Sequence, residues 1–576
     1  MADNEFLRRT MQLQRHLRIR LAGVLIAASA LVSVACASPA APTGPSSPAD
    51  EGPVRPKVDR VVMTVEPPAR EGNEGRHQSA PDNWQLKPIY EYLIGMKEDE
   101  GKMVPELATD WTLQSDGKSF LFNLRKGVQF HNGFGEFTAK DLLPTSGEIV
   151  KEDSLAGASP FWRLVLDSIE PQGDYAALVK FKRADGNALT SISRFRGGFE
   201  IFSKADFDKN GPAIDLERGP IAGTGPYQYM ARKQGQYLRY QRTAGKHWRA
   251  TPDFPEFEFR FVKEPSTRLA ALIAGEVHMA DLPQDLRQQA KQRGYTGVLA
   301  RDPSLRTSFH IMGVYLNDRT ERTPTPDASK GWMFPDSPMM DVRIRKALSK
   351  AIDRDALNKA FFGGQGKLMH LTHFSATRLG WDPTWEKRYQ DEYGYDVEAA
   401  KKLIAEAGYG PGKPLTTNLV ISKAYGYSGA EDMVEAVAAM YRAVGINAVL
   451  LPVDPAQLTP LQRSWSFPNH LQVNGTGSDQ WTGVTTYGST QGSRTGGAEL
   501  PESNKILEQI GNTLDTKRQD ELWRQAGEII FMQHKEVPLF WLPIEAVVDP
   551  KIVAGWTFPG SATGSWTHVE NIKAAR

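Results

Sequence analysis

Residues 416–453, TTNLVISKAYGYSGAEDMVEAVAAMYRAVGINAVLLPV, carry the pattern that decides the fold class. Residues 416–422 and 446–453 are short apolar runs of the kind that form buried strands. Residues 431–444, between them, place apolar side chains at helical spacing. A strand, a helix and a strand with short links favour a parallel βαβ crossover, so this stretch predicts an α/β fold.

The chain on either side of this stretch continues the α/β pattern. Asp341 can cap a helix with an apolar stripe, and Asp353 can cap the turn that follows. Asp396 can cap a further helix, which Gly408 ends. Residues 518–534 predict another helix, which leads into a strand over 537–542. The chain changes to this alternating pattern near residue 340.

The N-terminal half is richer in strands. Apolar and polar residues alternate over 119–130, residues 177–182 predict another strand, and residues 227–231 and 237–242 predict a hairpin. In residues 256–261 three phenylalanines alternate with Glu258 and Arg260. We therefore expect the phenylalanine face of that strand to pack and the other face to meet solvent.

The N-terminus has the layout of an export signal. Residues 1–20 contain five arginines, and residues 21–35 contain no charge, which is too short an apolar run for a permanent membrane span. The single cysteine, Cys36, follows directly in a setting that resembles a bacterial lipobox. We predict a signal peptide over 1–35 and lipidation of Cys36. Cleavage after Ala37 is the alternative to lipidation. The pair Arg8 and Arg9 adds the twin-arginine pathway as an alternative route of export.

Residues 36–56 form a Pro/Ser/Ala-rich tether with too little apolar surface to fold.

Composition excludes several classes of function. The net charge of +1 falls to −2 without residues 1–35, which hold five arginines and two acidic residues, so no nucleic-acid partner is expected. One cysteine rules out a disulfide framework and Cys-rich metal sites, and we expect no cofactor.

Catalytic and metal motifs are weak. Ser115 and Lys118 have the spacing of a serine acyl-enzyme, but the Asp-Gly between them predicts a turn. Gly366-Lys367 lacks the rest of a phosphate loop. His370 and His373 stand in a loop-like segment without clustered carboxylates or a cysteine, where histidines are usually solvated. We expect no catalytic residue and no metal, with a surface-anchored hydrolase as the distant alternative.

Eight motifs resemble the signature of the family-5 bacterial extracellular solute-binding proteins, which include oligopeptide-, dipeptide- and nickel-binding components of ABC importers. They run in family order along nearly the whole chain after the tether. The motifs are PELATDW (105–111), FLFNLRKGVQFHNG (120–133), FTAKD (137–141), GTGPY (223–227), TRLAAL (267–272), DVRIRKAL (341–348), AIDR (351–354) and AEAGY (405–409).

The resemblance implies a two-lobed α/β periplasmic-binding-protein-like fold of three domains. Domain I would be discontinuous, over residues 57–92, 220–310 and 531–576, with domain II over 93–219 and domain III over 311–530. It also implies a monomer that captures a ligand by closing two lobes and passes it to separate ABC permease subunits.

The resemblance places the ligand site in loops that face the cleft. Aligning GTGSDQW (475–481) puts Asp479 where peptide-binding relatives hold the ligand's α-ammonium, although an Asx-turn explains this residue equally well. We predict further ligand contacts in the same loop and in the long loop over 66–83 and its end. These contacts are Trp481, Tyr487, Arg494, Arg76, His77 and Trp84, and for Arg76 and Arg494 a solvated surface position is the favoured alternative to binding a ligand carboxylate.

An oligopeptide is the leading ligand. The alternatives within the same architecture are a nickel chelate, an oligosaccharide and an opine, and the residues do not separate them.

Overall fold

The computed structural model describes residues 56–68, 70–77, 80–97, 102–154, 156, 159–186, 188–195, 198–301, 305–317, 328–421, 430–454, 457–458, 461–462, 464–465, 467–474, 480–486, 497–542, 544–560 and 566–576. The predicted signal peptide, Cys36 and most of the tether lie outside these residues. Among the described residues, no helix combines the length and the apolar composition needed to cross a lipid bilayer.

The strands are numbered here in chain order. They are β1 (Arg60–Val65), β2 (Ile94–Met96), β3 (Met103–Pro105), β4 (Ala108–Leu113), β5 (Ser119–Leu124), β6 (Leu166–Pro171), β7 (Ala176–Phe181), β8 (Tyr227–Lys233), β9 (Tyr237–Arg242), β10 (Glu256–Phe261), β11 (Met279–Asp281), β12 (Thr296–Leu299), β13 (Leu305–Met312), β14 (Lys367–Leu368), β15 (Thr416–Ile421), β16 (Asn447–Pro452), β17 (His470–Asn474), β18 (Glu536–Leu542), β19 (Glu545–Val548), β20 (Val553–Trp556) and β21 (Ile572–Ala574).

The α-helices alternate with these strands, most densely after residue 340. They span Leu142–Ile149, Ser159–Val165, Ala188–Ile192, Lys204–Asn210, Pro265–Ile273, Gln284–Gln292, Val342–Lys350, Arg354–Phe362, Thr384–Glu392, Val397–Glu406, Ala430–Ala443, Gln480–Thr486, Pro501–Gly511 and Thr516–Met532.

The first lobe is built on a seven-stranded sheet of order β12-β19-β11-β1-β10-β9-β8. Strand β1 is parallel to both β10 and β11, and β8 and β9 form the predicted hairpin. A separate antiparallel sheet of order β4-β5-β7-β6 confirms the strand-rich character of the N-terminal half. Because each sheet has its own buried apolar cluster, the two form distinct cores.

The second lobe is built on a six-stranded sheet of order β14-β18-β13-β17-β15-β16. Strands β15 and β16 pair in parallel on either side of the helix Ala430–Ala443, which confirms the βαβ crossover. The side chains of Asp341, Asp353 and Asp396 accept hydrogen bonds from backbone N–H groups at helix starts, as predicted. The resulting mixed α/β architecture matches the expected fold class.

The solvent-facing role expected for Glu258 is wrong. Its side chain is buried in β10, although the alternation of the strand puts it opposite the phenylalanines. Arg239 donates from Nε to its carboxylate at 2.6 Å, and Arg260 does so at 2.9 Å. These charge-assisted bonds offset the cost of burying the carboxylate, which period-2 alternation does not reveal.

The chain passes from the first lobe to the second between β12 and β13, and returns between β18 and β19. Strands β13 and β18 pair with each other in the six-stranded sheet. The predicted boundaries after residue 310 and before residue 531 would assign parts of this pair to domain I. The division into three domains stays a prediction, and the pairing favours boundaries before Leu305 and after Leu542.

Candidate functional site

One end of the six-stranded sheet adjoins both connections between the lobes. Leu305 of β13 pairs with Leu542 of β18, the two residues at which the chain enters and leaves this sheet. Strand β17 runs antiparallel to β13 and ends at Asn474, beside Ser308. We call this end, formed by Leu305, Asn474 and Leu542, the crossover edge. Strand β17 therefore reaches the crossover edge at Asn474, the residue that directly precedes the predicted ligand loop, 475–479, in the sequence.

The lobes also touch away from the crossover edge. Gly186 donates its backbone N–H to the carbonyl oxygen of Gly511 at 3.1 Å. Leu514, in the same turn region as Gly511, packs against the apolar core of the four-stranded sheet. A β-carbon on Gly186 would lie 2.7 Å from the carbonyl oxygen of Ile510, so the close approach requires glycine. The space between the lobes is thus bounded by the crossover edge and by this contact.

Trp481 lies directly after the predicted ligand loop, in the helix Gln480–Thr486. Its side chain is half-buried and meets the ring of Trp523 edge-on, with centroids 6.1 Å apart. Gln480 donates from Nε2 to the carbonyl oxygen of Leu379 at 2.9 Å. These contacts attach the start of the helix to the aromatic cluster of the second lobe.

Arg378 and Trp541 form a second polar and aromatic element at the crossover edge. The guanidinium carbon of Arg378 lies 4.9 Å from the centre of the Trp541 ring, within range of a cation–π interaction. Arg378 also donates from Nη1 to the carbonyl oxygen of His373 at 3.1 Å. A planar cation beside an indole can accommodate carboxylate or amide groups of a ligand.

Beneath the helix Gln480–Thr486, two histidines flank one carboxylate. Glu536 is 4% exposed, and its Oε2 lies 3.2 Å from Nδ1 of His310. Its Oε1 lies 3.5 Å from Nε2 of His373, which is 1% exposed. Burial, and then the nearby Arg306, lower the pKa of His373 well below its usual range. His373 is therefore neutral at pH 7, and the solvated setting expected for it is wrong.

Lys535 also forms a hydrogen bond with the helix Gln480–Thr486. Its Nζ donates to the carbonyl oxygen of Val484 at 3.2 Å, and burial lowers the pKa of this lysine to about 8. Lys535 directly precedes Glu536, the first residue of β18, so the helix contacts the start of the strand that returns to the first lobe.

In the first lobe, Arg76 and His77 belong to a charged cluster. Arg76 is 7% exposed, with Nη1 3.0 Å from Oε2 of Glu148 and Nη2 3.3 Å from Oδ2 of Asp153. His77 lies 3.1 Å from Oε1 of Glu74. The guanidinium of Arg76 therefore already serves as the counter-ion of Glu148 and Asp153. The role of Arg76 and His77 in ligand binding stays a prediction.

Trp84 packs in the core of the seven-stranded sheet. It is 6% exposed and meets Phe259 edge-on, with centroids 4.5 Å apart. Its proposed ligand contact also stays a prediction.

Of the other predicted site residues, Asp479, Tyr487 and Arg494 lie outside the described residues. Among the described residues, Gln480 contacts Leu379, and the neighbouring Arg378 contacts both His373 and Trp541. No sequence motif pointed to Arg378, Glu536 or Trp541 as site residues. A lone arginine in a turn and a strand near the C-terminus have no motif that could have pointed to them.

The described residues contain no group of three or more histidine, cysteine or acidic side chains arranged to hold a metal ion. Ser115, considered as a nucleophile, precedes a turn in which Asp116 accepts a hydrogen bond from the Ser119 hydroxyl at 2.6 Å. The turn interpretation of that motif is confirmed.

Comparison with known proteins gives a consistent result. A family model described as bacterial extracellular solute-binding proteins, family 5 middle, matches residues 102–495. The dipeptide-binding protein of Escherichia coli is 24% identical over 498 residues, which cover 80% of this chain and 85% of that protein.

Two solved structures share the fold. NikA from Brucella suis, in complex with Fe(III)-EDTA, superposes with a TM-score of 0.69 at 19% identity and covers 89% of this chain and 99% of its own. The oligopeptide-binding protein AppA from Bacillus subtilis, in complex with a nonapeptide, gives a TM-score of 0.62 at 18% identity, covering 90% and 99%. This chain is similar to proteins whose ligands differ widely in size and chemistry.

Proposed function

Because the chain belongs to the family 5 bacterial extracellular solute-binding proteins, we propose that it captures an oligopeptide between its lobes and delivers it to an ABC import permease. The observation that carries this proposal is the position of the crossover edge. Strand β17 ends there at Asn474, beside both connections between the lobes, and Trp541 of the same edge lies under the guanidinium of Arg378. A ligand at this point would contact the moving parts of both lobes.

The chemistry around the crossover edge suits a peptide. Asp479, which directly precedes Gln480 in the sequence, is proposed to pair with the ammonium of the peptide. The half-buried Trp481 offers apolar surface for peptide side chains, and the cation of Arg378 suits peptide carbonyl or carboxylate oxygens. Tyr487 and Arg494 are proposed as further ligand contacts from the same part of the sequence. Arg76, His77 and Trp84 are the proposed contacts on the first lobe.

A thermal-shift screen tests the ligand class. A ligand that binds only the folded protein raises the melting temperature, and saturation at about 100 times Kd adds ~2.7 kcal/mol of stability. We expect trialanine to raise the melting temperature, whereas nickel–histidine, maltotriose and an opine should not. A shift with one of these three and none with trialanine would replace the peptide by that ligand.

We further propose that the protein binds its ligand without catalysing a reaction. It would only pair the charges of the ligand and bury it between the lobes. Incubation with trialanine followed by mass analysis should return intact peptide. Released alanine or dialanine would support the hydrolase alternative.

The mature protein is proposed to be a monomer attached to the membrane through lipidated Cys36, after removal of residues 1–35. Expression of the full chain should give a membrane-associated protein, and Cys36→Ser should release it to the soluble fraction. Cleavage after Ala37 would instead leave both proteins soluble. Light scattering of the detergent-free Cys36→Ser protein would give the oligomeric state.

A further inference from the structure

The imidazole of His373 is in unusually close contact with the helix that follows the predicted ligand loop. A β-carbon added to Gly483 would stand 2.0 Å from Nδ1 of His373 and 2.3 Å from Cε1. Real side chains essentially never approach so closely, so the ring occupies the space that any other residue at 483 would need. The glycine and the histidine therefore form a matched pair.

His373 holds this position at a cost in backbone energy. Its φ angle is +71°, in the left-handed region, which is uncommon for residues other than glycine, although asparagine, aspartate and histidine adopt it more often than the rest. Nδ1 has no hydrogen-bond partner among the described residues, and Nε2 has only the long 3.5 Å contact with Glu536, although the side chain is 1% exposed. Strained and unsatisfied buried groups are most often retained where they serve function.

The contact is supported from below by the six-stranded sheet. Glu536 stands between His373 and His310, and His310 pairs with Glu536 in register across β13 and β18. Lys535, next in the chain, donates to the carbonyl oxygen of Val484. The helix Gln480–Thr486 is thus located by two adjacent contacts, at Gly483 and at Val484.

From this geometry we propose that His373 is a positioning residue for the helix Gln480–Thr486. It sets the place of this helix, and so of Trp481 at its start, through the contact with Gly483. The proposal rests on the function proposed above, because Trp481 is taken to contact the ligand. His373 itself does not need to touch the ligand, since it acts through Gly483.

A double-mutant cycle separates positioning from a simple role in stability. Gly483→Ala should force the helix away from His373. We expect amide hydrogen exchange in residues 480–486 to rise by about tenfold or more and trialanine affinity to fall by about tenfold or more. Alanine normally favours a helix over glycine, so loss of protection would have to come from the contact with the ring.

Replacing the imidazole of His373 by a smaller side chain should reverse the effects of Gly483→Ala. His373→Gly accepts the positive φ angle and vacates the space that the new methyl group needs. The double variant His373→Gly, Gly483→Ala should therefore recover exchange protection and affinity relative to Gly483→Ala alone. Should His373→Gly not fold, His373→Asn, which also tolerates the left-handed region, takes its place. Gly147→Ala is the matched control, because Gly147 is helical and nothing lies within 4 Å of its added β-carbon.

The outcomes distinguish this inference from the proposed function. Unchanged exchange in Gly483→Ala, or raised exchange with unchanged trialanine affinity, would overturn the positioning role. Absence of recovery in the double variant would overturn it as well. If the unaltered protein does not bind trialanine while the exchange pattern follows the expectation, the peptide proposal fails for this probe and the positioning of the helix by His373 is supported.

Discussion

Gly186 of the first lobe donates its N–H to the carbonyl oxygen of Gly511 in the second lobe at 3.1 Å. A β-carbon at 186 would lie 2.7 Å from the Ile510 carbonyl oxygen, which is backbone and cannot rotate away. Contacts made only in the closed state supply the free energy of closure. Gly186→Ala should therefore disfavour closure.

Small-angle X-ray scattering with saturating trialanine measures this effect. The radius of gyration of the unaltered protein should fall when the peptide is added, and that of Gly186→Ala should remain larger. Gly147→Ala, which meets no neighbour, should behave as the unaltered protein. Equal compaction of both variants would mean that the contact at Gly186 does not contribute to closure.

A second prediction concerns the buried ion pairs of the first lobe. Arg249 donates to Glu570 at 2.5 Å and to Glu91 at 2.8 Å, and both carboxylates are buried. Glu570→Gln leaves a buried guanidinium short of one counter-ion, which should lower the free energy of unfolding by about 3–5 kcal/mol in urea titrations.

The control for this experiment is an exposed pair. Glu398 lies 2.9 Å from Lys401 and its side chain is 83% exposed, so Glu398→Gln should change stability by less than about 1 kcal/mol. Similar losses in both variants would contradict the importance of burial.

Two buried histidines, His131 and His568, and the half-buried His247 predict a loss of stability in acid. Burial lowers the pKa of His131 and of His247 to about 4, and that of His568 to about 3. Below the ordinary histidine pKa of 6.5, the unfolded chain binds protons that the folded chain does not. Stability should be full above pH 6.5 and fall towards pH 4, by up to about 1.4 kcal/mol per pH unit for each histidine.

His131→Gln tests one of these contributions. The Gln amide can replace the imidazole as donor to the Gly225 carbonyl oxygen, which lies 2.8 Å from Nε2, and it does not titrate. The dependence of urea unfolding on pH between 6.5 and 4 should be shallower by about one proton than in the unaltered protein. An unchanged slope would show that His131 is protonated in the folded state.

The peptide proposal makes a specific demand on Asp479. Asp479→Asn removes the charge that would pair with the ligand ammonium, so trialanine should bind about tenfold or more weakly by calorimetry, a loss of ~1.4 kcal/mol or more. N-acetyl-trialanine, which lacks the ammonium, should not distinguish the two proteins. Asp432→Asn, at an exposed helix position, is the control. A change within about twofold, less than ~0.5 kcal/mol, would show that Asp479 is not an anchor.

Local patterns of the sequence predicted much of the fold. The βαβ unit over 416–453, the caps at Asp341, Asp353 and Asp396 and the hairpin of β8 and β9 each depend on neighbouring residues. Their periodicity and capping chemistry are therefore visible in one stretch of chain.

The candidate site could be predicted less well from the sequence, because its contacts join residues that are far apart in the chain. His373, Gly483 and Glu536 come from three distant segments, and none of them belongs to a recognisable motif. Burial of Glu258 depends on Arg239 and Arg260, which a period-2 pattern does not record. The pairing of β9 with β10 brings Arg239 beside Glu258. The packing of the helix Gln480–Thr486 brings Gly483 beside His373, which contacts Glu536 of β18.

Native mass spectrometry of the mature protein, purified without added ligand, tests the central claim most directly. A closed cleft retains its ligand through purification when dissociation is slow. We predict a bound mass that fragments into amino-acid residues and is released when the protein is denatured. A retained mass that corresponds to a metal chelate, a sugar or an opine, with no peptide fragments, would contradict the account.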